Sequence, residues 1–259
     1  MKIILFVNDN YFSCLLAKPL VLKYHKSVQL AIFSNKTTGS LFQILKICKK
    51  TYFEYFAYRS TVQIISILNG VRGRKTLRSL LKQYKIPCIT LTNVHKNVEV
   101  LNKLGSLDIG IALNFDQILS SKILKLFNFG VINVHASKLP KDRGVSPAMW
   151  AFARGDQEIW SSIYKMDPGI DTGPIYKQFA IPVEPKNTFF SLYERVCEES
   201  GKQLLLTIEE IEKRVIVPKP QRKDLEENYL GFPNKEHKDL MRLNNRRFIN
   251  VDDIIGLLK

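Results

Sequence analysis

Short apolar segments alternate with stretches of helical spacing along most of the chain, and this alternation restricts the fold more than any other feature. The predicted strands are residues 2–7, 28–34, 88–92, 107–113 and 131–135, and the predicted helices between them include residues 11–24, 97–104 and 120–126. Because parallel strands need a crossover, usually a helix, this order favours parallel pairing. The sequence predicts an α/β fold with a Rossmann-like, mostly parallel sheet and helices on both faces, which binds ligands at the carboxyl ends of its strands.

The second half of the chain continues the pattern and then changes character. A helix is predicted at residues 147–154, strands at 161–165 and 175–181, and a long amphipathic helix at 188–214. Pro218, Pro220 and a charged run at residues 222–228 follow. We expect a catalytic domain over residues 1–214 and a short C-terminal arm over residues 215–259 that packs on it, because so few residues cannot build a separate core.

Positive charge is concentrated in the first hundred residues. The net charge is +15, and residues 1–100 contain 16 Lys/Arg against 3 Asp/Glu. A helical excursion with breaks at Asn69-Gly70 and Gly73 is predicted over residues 39–84. It contains most of the densest basic segment, which consists of Arg72, Arg74, Lys75, Arg78, Lys82 and Lys85. Three interpretations stay open: a solvated helix face, a surface for the phosphates of a nucleotide or RNA, and a docking surface for a membrane or protein.

Several classes of protein are excluded by absent patterns. The four cysteines stand singly without a CxxC pair, which indicates buried reduced thiols and a cytoplasmic location rather than a disulfide framework or a zinc ribbon. The apolar runs are far shorter than the roughly 18 residues of a spanning helix, so no membrane span or signal peptide is predicted. Neither GxGxxG nor GxxxxGK[ST] occurs, which argues against a dinucleotide site or a P-loop.

Two polar residues interrupt the end of the apolar strand at residues 131–135. Asn133 and His135 are two positions apart, so their side chains leave the strand on the same face, at the carboxyl end. A long loop with two prolines follows at residues 136–147 and can form a wall beside them. This arrangement indicates a polar site at the strand end.

A second polar segment lies between two predicted strands, at residues 166–175. Asp167 stands beside Pro168-Gly169 and is expected to form a turn. Asp171 is followed by Thr172-Gly173 and can point inward from a tight loop. The segment therefore offers one carboxylate for structure and one for chemistry.

The motifs of these segments occur in a characteristic order. They are Asn133-Val134-His135, Ser137-Lys138-Leu139-Pro140, Arg143-Gly144 with Pro147, Trp150-Ala151, Gly155-Asp156 and Ile170-Asp171-Thr172-Gly173-Pro174-Ile175 with Gln178. Together they resemble the 10-formyltetrahydrofolate-dependent formyltransferases, a family that includes methionyl-tRNA formyltransferase, glycinamide ribonucleotide formyltransferase and the amino-sugar N-formyltransferases. The resemblance is clear over residues 107–182 and implies the formyltransferase fold.

The resemblance also implies the catalytic residues. Asn133, His135 and Asp171 match the catalytic asparagine, histidine and aspartate of the family. Asn133 would donate a hydrogen bond to the oxyanion that forms when an amine attacks the formyl carbon, and His135 would assist there or relay a proton. Asp171 would orient His135 and accept the proton. One histidine and one loop aspartate do not make a zinc site, so no metal is predicted.

Binding residues follow from the same resemblance. The formyl donor, 10-formyltetrahydrofolate, is expected to contact Phe115, Gln117, Ile118, Leu119, Asp167 and Gly169. For the first four, an ordinary role in the core or in helix capping stays open. The acceptor is expected to contact Ser137, Lys138, Arg143, Gly144 and Pro147. Two departures concern the acceptor side: Lys138 replaces the usual leucine, and Trp160-Ser161-Ser162 replaces the usual small-Val-Thr stretch. A third, Tyr164 where the purine-pathway enzyme has a histidine, argues against the purine-pathway assignment.

The acceptor itself is a matter of several hypotheses. About 45 residues follow Arg214, fewer than the OB-like domain of methionyl-tRNA formyltransferase needs, so we expect a small anionic amine, preferably a nucleotide-linked amino sugar. Positive charge near the site would attract its phosphates. The alternatives are methionyl-tRNA, with a reduced C-terminal domain, and a catalytically idle module that binds RNA or an anionic surface. A homodimer is left open.

Overall fold

Parallel strands form the centre of the fold, as the alternation predicts. The computed structural model describes residues 1–35, 51–71, 76–222 and 227–258. Its strands are β1 (Ile3–Val7), β2 (Val28–Ser34), β3 (Cys88–Leu91), β4 (Ile109–Leu113), β5 (Val131–His135), β6 (Arg143–Gly144), β7 (Glu158–Lys165), β8 (Ile175–Pro182) and β9 (Tyr229–Leu230). In these residues the main sheet has the order β3-β2-β1-β4-β5-β7-β8, and β5-β7 and β7-β8 are its antiparallel pairs. The predicted mostly parallel sheet is confirmed.

Helices connect and cover these strands. They are α1 (Tyr11–Tyr24), α2 (Phe53–Val71), α3 (Leu77–Gln83), α4 (Val98–Asn102) after a 3₁₀ turn at His95–Asn97, α5 (Ser121–Leu124), α6 (Pro147–Arg154), α7 (Phe189–Glu212), α8 (Lys235–Leu243) and α9 (Val251–Leu258). Asn10 caps α1 by accepting a hydrogen bond from the backbone N–H of Ser13. Thr188 and Ser191 form a capping box at the start of α7.

The core lies on both faces of the sheet. Every residue of β1 and of β4 is buried, as expected for parallel strands covered on two sides. Alternate residues of β1 serve the two faces: Leu5 belongs to the cluster that contains parts of α1 and α7, whereas Phe6 packs with Phe127 on the opposite face. From β1 the chain builds outward through β2 to β3 and then returns to β4 on the other side of β1. The order of strands therefore reverses beside β1, the place where such sheets bind ligands.

Several element boundaries differ from the sequence prediction. The predicted break at Asn69-Gly70 is wrong, because α2 continues to Val71; one helical glycine costs only about 1 kcal/mol, which does not by itself end a helix. Strand β7 begins at Glu158, three residues before the prediction, since pairing with β8 extends along its whole length. Gly73 and the part of the predicted excursion at residues 39–50 lie outside the described residues.

The basic segment is only partly described. Arg72, Arg74 and Lys75 lie outside the described residues, whereas α3 buries Leu77 and Leu81, which confirms an apolar face. Arg78 does not simply face solvent. Its guanidinium pairs with Asp9 at 2.5 Å, donates to Thr90 at 2.9 Å and lies 3.9 Å from the ring centre of Phe33. These contacts attach α3 to the carboxyl ends of β1, β2 and β3.

The C-terminal arm contacts the main body. Strand β9 pairs in parallel with β6, and α8 packs on α6. Trp150 on α6 donates a hydrogen bond to the carbonyl of Gly231 at 3.1 Å, and Phe248 stacks on Tyr58 of α2 at 5.2 Å. Residues beyond position 214 therefore contact the main body through both polar and apolar groups. The domain boundary after residue 214 stays a prediction.

His237 of α8 is fully buried, and its burial predicts that the stability of the folded protein depends on pH. Its Nε2 donates to the carbonyl of Met149 at 3.1 Å, and its Nδ1 accepts from the hydroxyl of Tyr52 at 2.7 Å. Burial lowers the pKa of His237 to about 4. Because the folded state prefers the neutral ring, the free energy of unfolding should fall by about 2 kcal/mol as the pH falls from about 7 to about 5.

Urea unfolding of the wild type and of His237→Gln at both pH values measures this contribution. The amide of Gln can accept from Tyr52 and donate to Met149 but cannot be protonated, so the variant should lack this part of the pH dependence. His25→Gln, at the end of α1, is the matched control and should keep it. Equal slopes for wild type and His237→Gln would contradict the prediction.

Two further findings concern the excluded classes. Cys14, Cys88 and Cys197 are free thiols; Cys14 and Cys197 are buried, but Cys88 is exposed because β3 is the edge strand, so the expectation of burial is wrong there. Among the described helices, none combines the length and the apolar character that crossing a membrane requires.

Candidate active site

The strand β5 carries Asn133 and His135 to the carboxyl edge of the sheet. Its antiparallel register with β7 places Asn133 opposite Tyr164 and His135 opposite Ser162. Directly opposed residues project to the same face, so Asn133 and Tyr164 become neighbours. The same-face arrangement predicted for Asn133 and His135 places both near the loop that carries Asp171.

The amide of Asn133 has a defined orientation. Its Oδ1 accepts a hydrogen bond from the backbone N–H of Val134 at 2.8 Å, and its Nδ2 donates to the hydroxyl of Tyr164 at 2.9 Å. A backbone N–H can only donate, so oxygen and nitrogen cannot exchange places. Among the described residues, the second N–H of this amide has no acceptor, which makes it available to a ligand.

The hydroxyl of Tyr164 connects Asn133 with Asp171. It accepts from Asn133 and donates to Asp171 Oδ1 at 2.8 Å. Tyr164 is only 2% exposed, and burial together with the neighbouring Asp171 carboxylate raises its pKa well above the usual value. The hydroxyl therefore keeps its proton and acts as a permanent donor to the carboxylate.

Asp171 lies at a tight turn with both oxygens engaged. Its backbone is left-handed, with φ at 53°, a conformation that is uncommon for residues other than glycine and in which aspartate and asparagine are enriched. Oδ2 accepts from the backbone N–H of Gly144 at 2.8 Å and lies 3.6 Å from His135 Nδ1. The last distance is too long for a direct hydrogen bond, so the two groups face each other across a gap without being bonded.

The tautomer of His135 follows from its other nitrogen. Nε2 donates to the backbone carbonyl of Asp142 at 2.9 Å, so the neutral ring carries its one hydrogen there. Nδ1 then presents a lone pair toward the gap beside Asp171. His135 and Asp171 are nearly buried, with side-chain exposures of 8% and 11%.

Side chains of the main body and of the arm support this geometry from outside. Arg154 forms a paired contact with Asp142, with its shorter distance at 2.6 Å, and Asn228 hydrogen bonds both the backbone and the side chain of Asp142. The carbonyl of Asp171 accepts from Arg143 at 3.2 Å and from Gln221 at 2.8 Å. Both loops that meet at the site are thus held by side chains distant in sequence.

The residues predicted to bind the acceptor are placed differently from one another. Gly144 and Arg143 contact Asp171 directly. The hydroxyl of Ser137 donates a hydrogen bond to the carbonyl of Lys141 at 2.8 Å. Lys138 is exposed, with its ammonium 3.9 Å from the ring centre of Trp160, and Pro147 is buried at the first position of α6.

The residues predicted to bind the donor divide in the same way. Leu119 is fully buried. Gln117 accepts a hydrogen bond from the backbone N–H of Val94 and donates one to the hydroxyl of Ser34, each at 2.8 Å. Phe115 packs 5.5 Å from Phe6, whereas Ile118 is 59% exposed. Asp167 closes its turn by accepting from Gly169 and Thr172, at 3.1 and 2.6 Å. Whether any of them contacts a donor stays a prediction.

Sequence reasoning treated Tyr164 only as a departure and missed Gln221 and Asn228. The signal for Tyr164 is its position in the strand paired with β5, which requires the register to be known. No local signal marks the two arm residues. In the part of the chain that the structure describes, no group of three or more His, Cys, Asp or Glu side chains is arranged to hold a metal ion.

The arrangement has the groups that acyl transfer to an amine requires. Asn133 offers one N–H, a neutral donor suited to a carbonyl oxygen that gains charge. His135 Nδ1 and Asp171 Oδ2 offer acceptors for a proton beside it. The three residues include no serine or cysteine that could form a covalent acyl intermediate. The cluster therefore favours direct transfer between two bound molecules.

Proteins with curated names are similar in sequence to part of this chain. Methionyl-tRNA formyltransferase of Synechococcus sp. (strain JA-3-3Ab) is 35% identical over 156 residues, which are 58% of this chain and 48% of that protein. The enzyme of the same name from Legionella pneumophila (strain Philadelphia 1) is 36% identical over 171 residues, 64% of this chain and 54% of that protein. The chain spans about half the length of these curated relatives.

Solved structures share the fold. The N-formyltransferase from Helicobacter canadensis, in complex with folinic acid and dTDP-3-aminofucose, has a TM-score of 0.60 at 19% identity over 92% of this chain and 72% of that chain. The formyltransferase PseJ from Anoxybacillus kamchatkensis, in complex with UDP-4,6-dideoxy-4-formamido-L-AltNAc and tetrahydrofolate, has a TM-score of 0.52 at 26% identity over 71% of this chain and 94% of that chain.

A family model described as formyl transferase matches residues 29–208. This range includes β5, the turn with Asp171 and most of α7, and therefore the whole Asn133, His135 and Asp171 cluster. The resemblance in the motifs, the sheet order and the family match agree, and the chain belongs to the formyl transferase family.

Proposed function

We propose that this protein transfers the formyl group of 10-formyltetrahydrofolate to a primary amine. The cluster of Asn133, His135 and Asp171 carries the proposal: it has an amide N–H without an acceptor among the described residues, and two acceptor atoms, His135 Nδ1 and Asp171 Oδ2, that face each other at 3.6 Å. The amine nitrogen forms a bond to the formyl carbon, and the bond from that carbon to N10 of the folate breaks. The amine gives up one proton, and N10 takes up one.

The residues of this chain then have separate tasks. Asn133 donates its free N–H to the formyl oxygen, where negative charge develops. His135 Nδ1 accepts the proton from the amine, and Asp171, 3.6 Å away, stabilises the positive ring that results. The carbonyl of Asp142 keeps the ring in this orientation.

For the acceptor we propose a nucleotide-linked amino sugar. The Anoxybacillus kamchatkensis protein, which is in complex with a nucleotide-linked formamido sugar, is 26% identical over 94% of its length. The excess of 16 Lys/Arg over 3 Asp/Glu in residues 1–100 would attract the phosphates of such a molecule. Methionyl-tRNA is the second candidate, because the curated relatives of that name are 35% and 36% identical.

A transfer assay read by mass spectrometry tests both candidates. The purified protein is incubated with 10-formyltetrahydrofolate and, in separate reactions, with nucleotide-linked amino sugars, glycinamide ribonucleotide and methionyl-tRNA. We expect a mass increase of one formyl group on a nucleotide-linked sugar. Formylated methionyl-tRNA would reject the sugar in favour of the second candidate, and tRNA binding should then weaken steeply with salt. No product and no folate binding would contradict the transferase and favour a non-catalytic binding module.

A further inference from the structure

We propose that Tyr164 is a positioning residue for the transfer reaction, which locks the Asn133 amide and the Asp171 carboxylate into one directed chain of hydrogen bonds. This inference rests on the proposed function and deepens it. Among the described residues, Tyr164 is the side chain that hydrogen bonds both Asn133 and Asp171. It lies between the group that would receive the oxyanion and the group that would stabilise the proton acceptor.

The direction of the chain is set at its first link. The backbone N–H of Val134 can only donate, so it selects Oδ1 of Asn133 and turns Nδ2 toward Tyr164. The hydroxyl oxygen of Tyr164 accepts from Nδ2, and its hydrogen goes to Asp171 Oδ1. Two groups at the ends of the chain then face the site: the second N–H of Asn133, and Oδ2 of Asp171, which accepts from Gly144 and lies beside His135.

Burial makes this arrangement rigid. Tyr164 is 2% exposed, and its ring is fixed opposite Asn133 by the β5–β7 register. Water cannot easily replace a hydroxyl in such a place. Without that hydroxyl, Nδ2 of Asn133 and Oδ1 of Asp171 would each lose a partner. Each side chain would then be held by one backbone N–H alone, that of Val134 or of Gly144, and its orientation would be less well defined.

The test is Tyr164→Phe, which keeps the ring and removes the hydroxyl. We expect kcat to fall by about 100-fold, the scale of a small misplacement of reacting groups, with little change in the KM of donor or acceptor. Tyr24→Phe is the matched control. Tyr24 also donates to a carboxylate, that of Glu212 at 2.7 Å, but it lies at the end of α1, away from the candidate site. The control should keep the wild-type kcat.

Two further measurements separate positioning from a general structural effect. In an Asp171→Asn background, Tyr164→Phe should lower kcat far less than in the wild type, because the residues act as a unit. A crystal structure of Tyr164→Phe should show a rotated Asn133 amide or Asp171 carboxylate. If this variant does not fold, Tyr164→His takes its place: no single imidazole nitrogen can both accept from Asn133 and donate to Asp171, so kcat should fall there as well.

The outcomes are distinct. Wild-type kcat in folded Tyr164→Phe, with wild-type transfer intact, would overturn the role of Tyr164 and leave the proposed function in place. Additive effects in the double variant would overturn it as well. If the wild type transfers no formyl group, the proposed function fails; the crystal structure then still decides whether Tyr164 positions the two side chains, since unmoved side chains would reject that.

Discussion

Asp171→Asn should lower kcat by about 10²- to 10⁴-fold, the range associated with loss of an acid–base group, while the protein stays folded. Both oxygens of Asp171 accept from donors, Gly144 N–H on one side and Tyr164 O–H on the other. An amide nitrogen cannot accept from the fixed backbone N–H, so it must turn toward Tyr164 and reverse that hydrogen bond. The variant also loses the negative charge that faces His135 Nδ1.

The effect is measured as turnover with 10-formyltetrahydrofolate and the acceptor found in the transfer assay. Thermal unfolding and folate binding, followed by fluorescence, should stay near wild type. Asp252→Asn, an exposed aspartate in α9, is the matched control and should leave kcat unchanged. Turnover of Asp171→Asn within a few-fold of wild type would refute a role for this carboxylate in the proton step.

Gly173→Ala should disrupt the turn that carries Asp171. A Cβ at Gly173 would lie 1.8 Å from the backbone carbonyl oxygen of Lys165, far inside contact distance, and backbone cannot swing aside as a side chain can. Gln221 also holds the carbonyl of Gly173, at 2.9 Å. We expect a loss of about 1–3 kcal/mol in the free energy of unfolding, and a kcat about 100-fold lower because Asp171 is displaced.

Urea unfolding and turnover of the same preparation check the two effects together. Gly231→Ala is the matched control, since no heavy atom lies within 4 Å of a Cβ built there. The control should behave like the wild type in both measurements. Normal stability and turnover in Gly173→Ala would mean that the turn has room for a side chain, and that the close approach of Gly173 to Lys165 does not hold Asp171 in place.

The parts of this fold that depend on local pattern could be predicted, and the parts that depend on contact between distant segments could not. The alternation in β5 placed Asn133 and His135 on one face, because a strand has a period of two. Tyr164 gains its place from the β5–β7 register, which no local pattern specifies. The support that Gln221 and Asn228 give also joins positions 50 and 86 residues apart.

The pairing of β6 with β9 affects the order in which parts of the protein can fold during synthesis. The ribosome completes the last strand of the main sheet at Pro182, but Tyr229 and Leu230, which pair with the segment holding Gly144, are made much later. We therefore expect the main sheet to form on the nascent chain before the loops of the candidate site are ordered. Without Tyr229 and Leu230 the segment that holds Gly144 lacks its partner strand, so unfinished chains should not transfer a formyl group to amines.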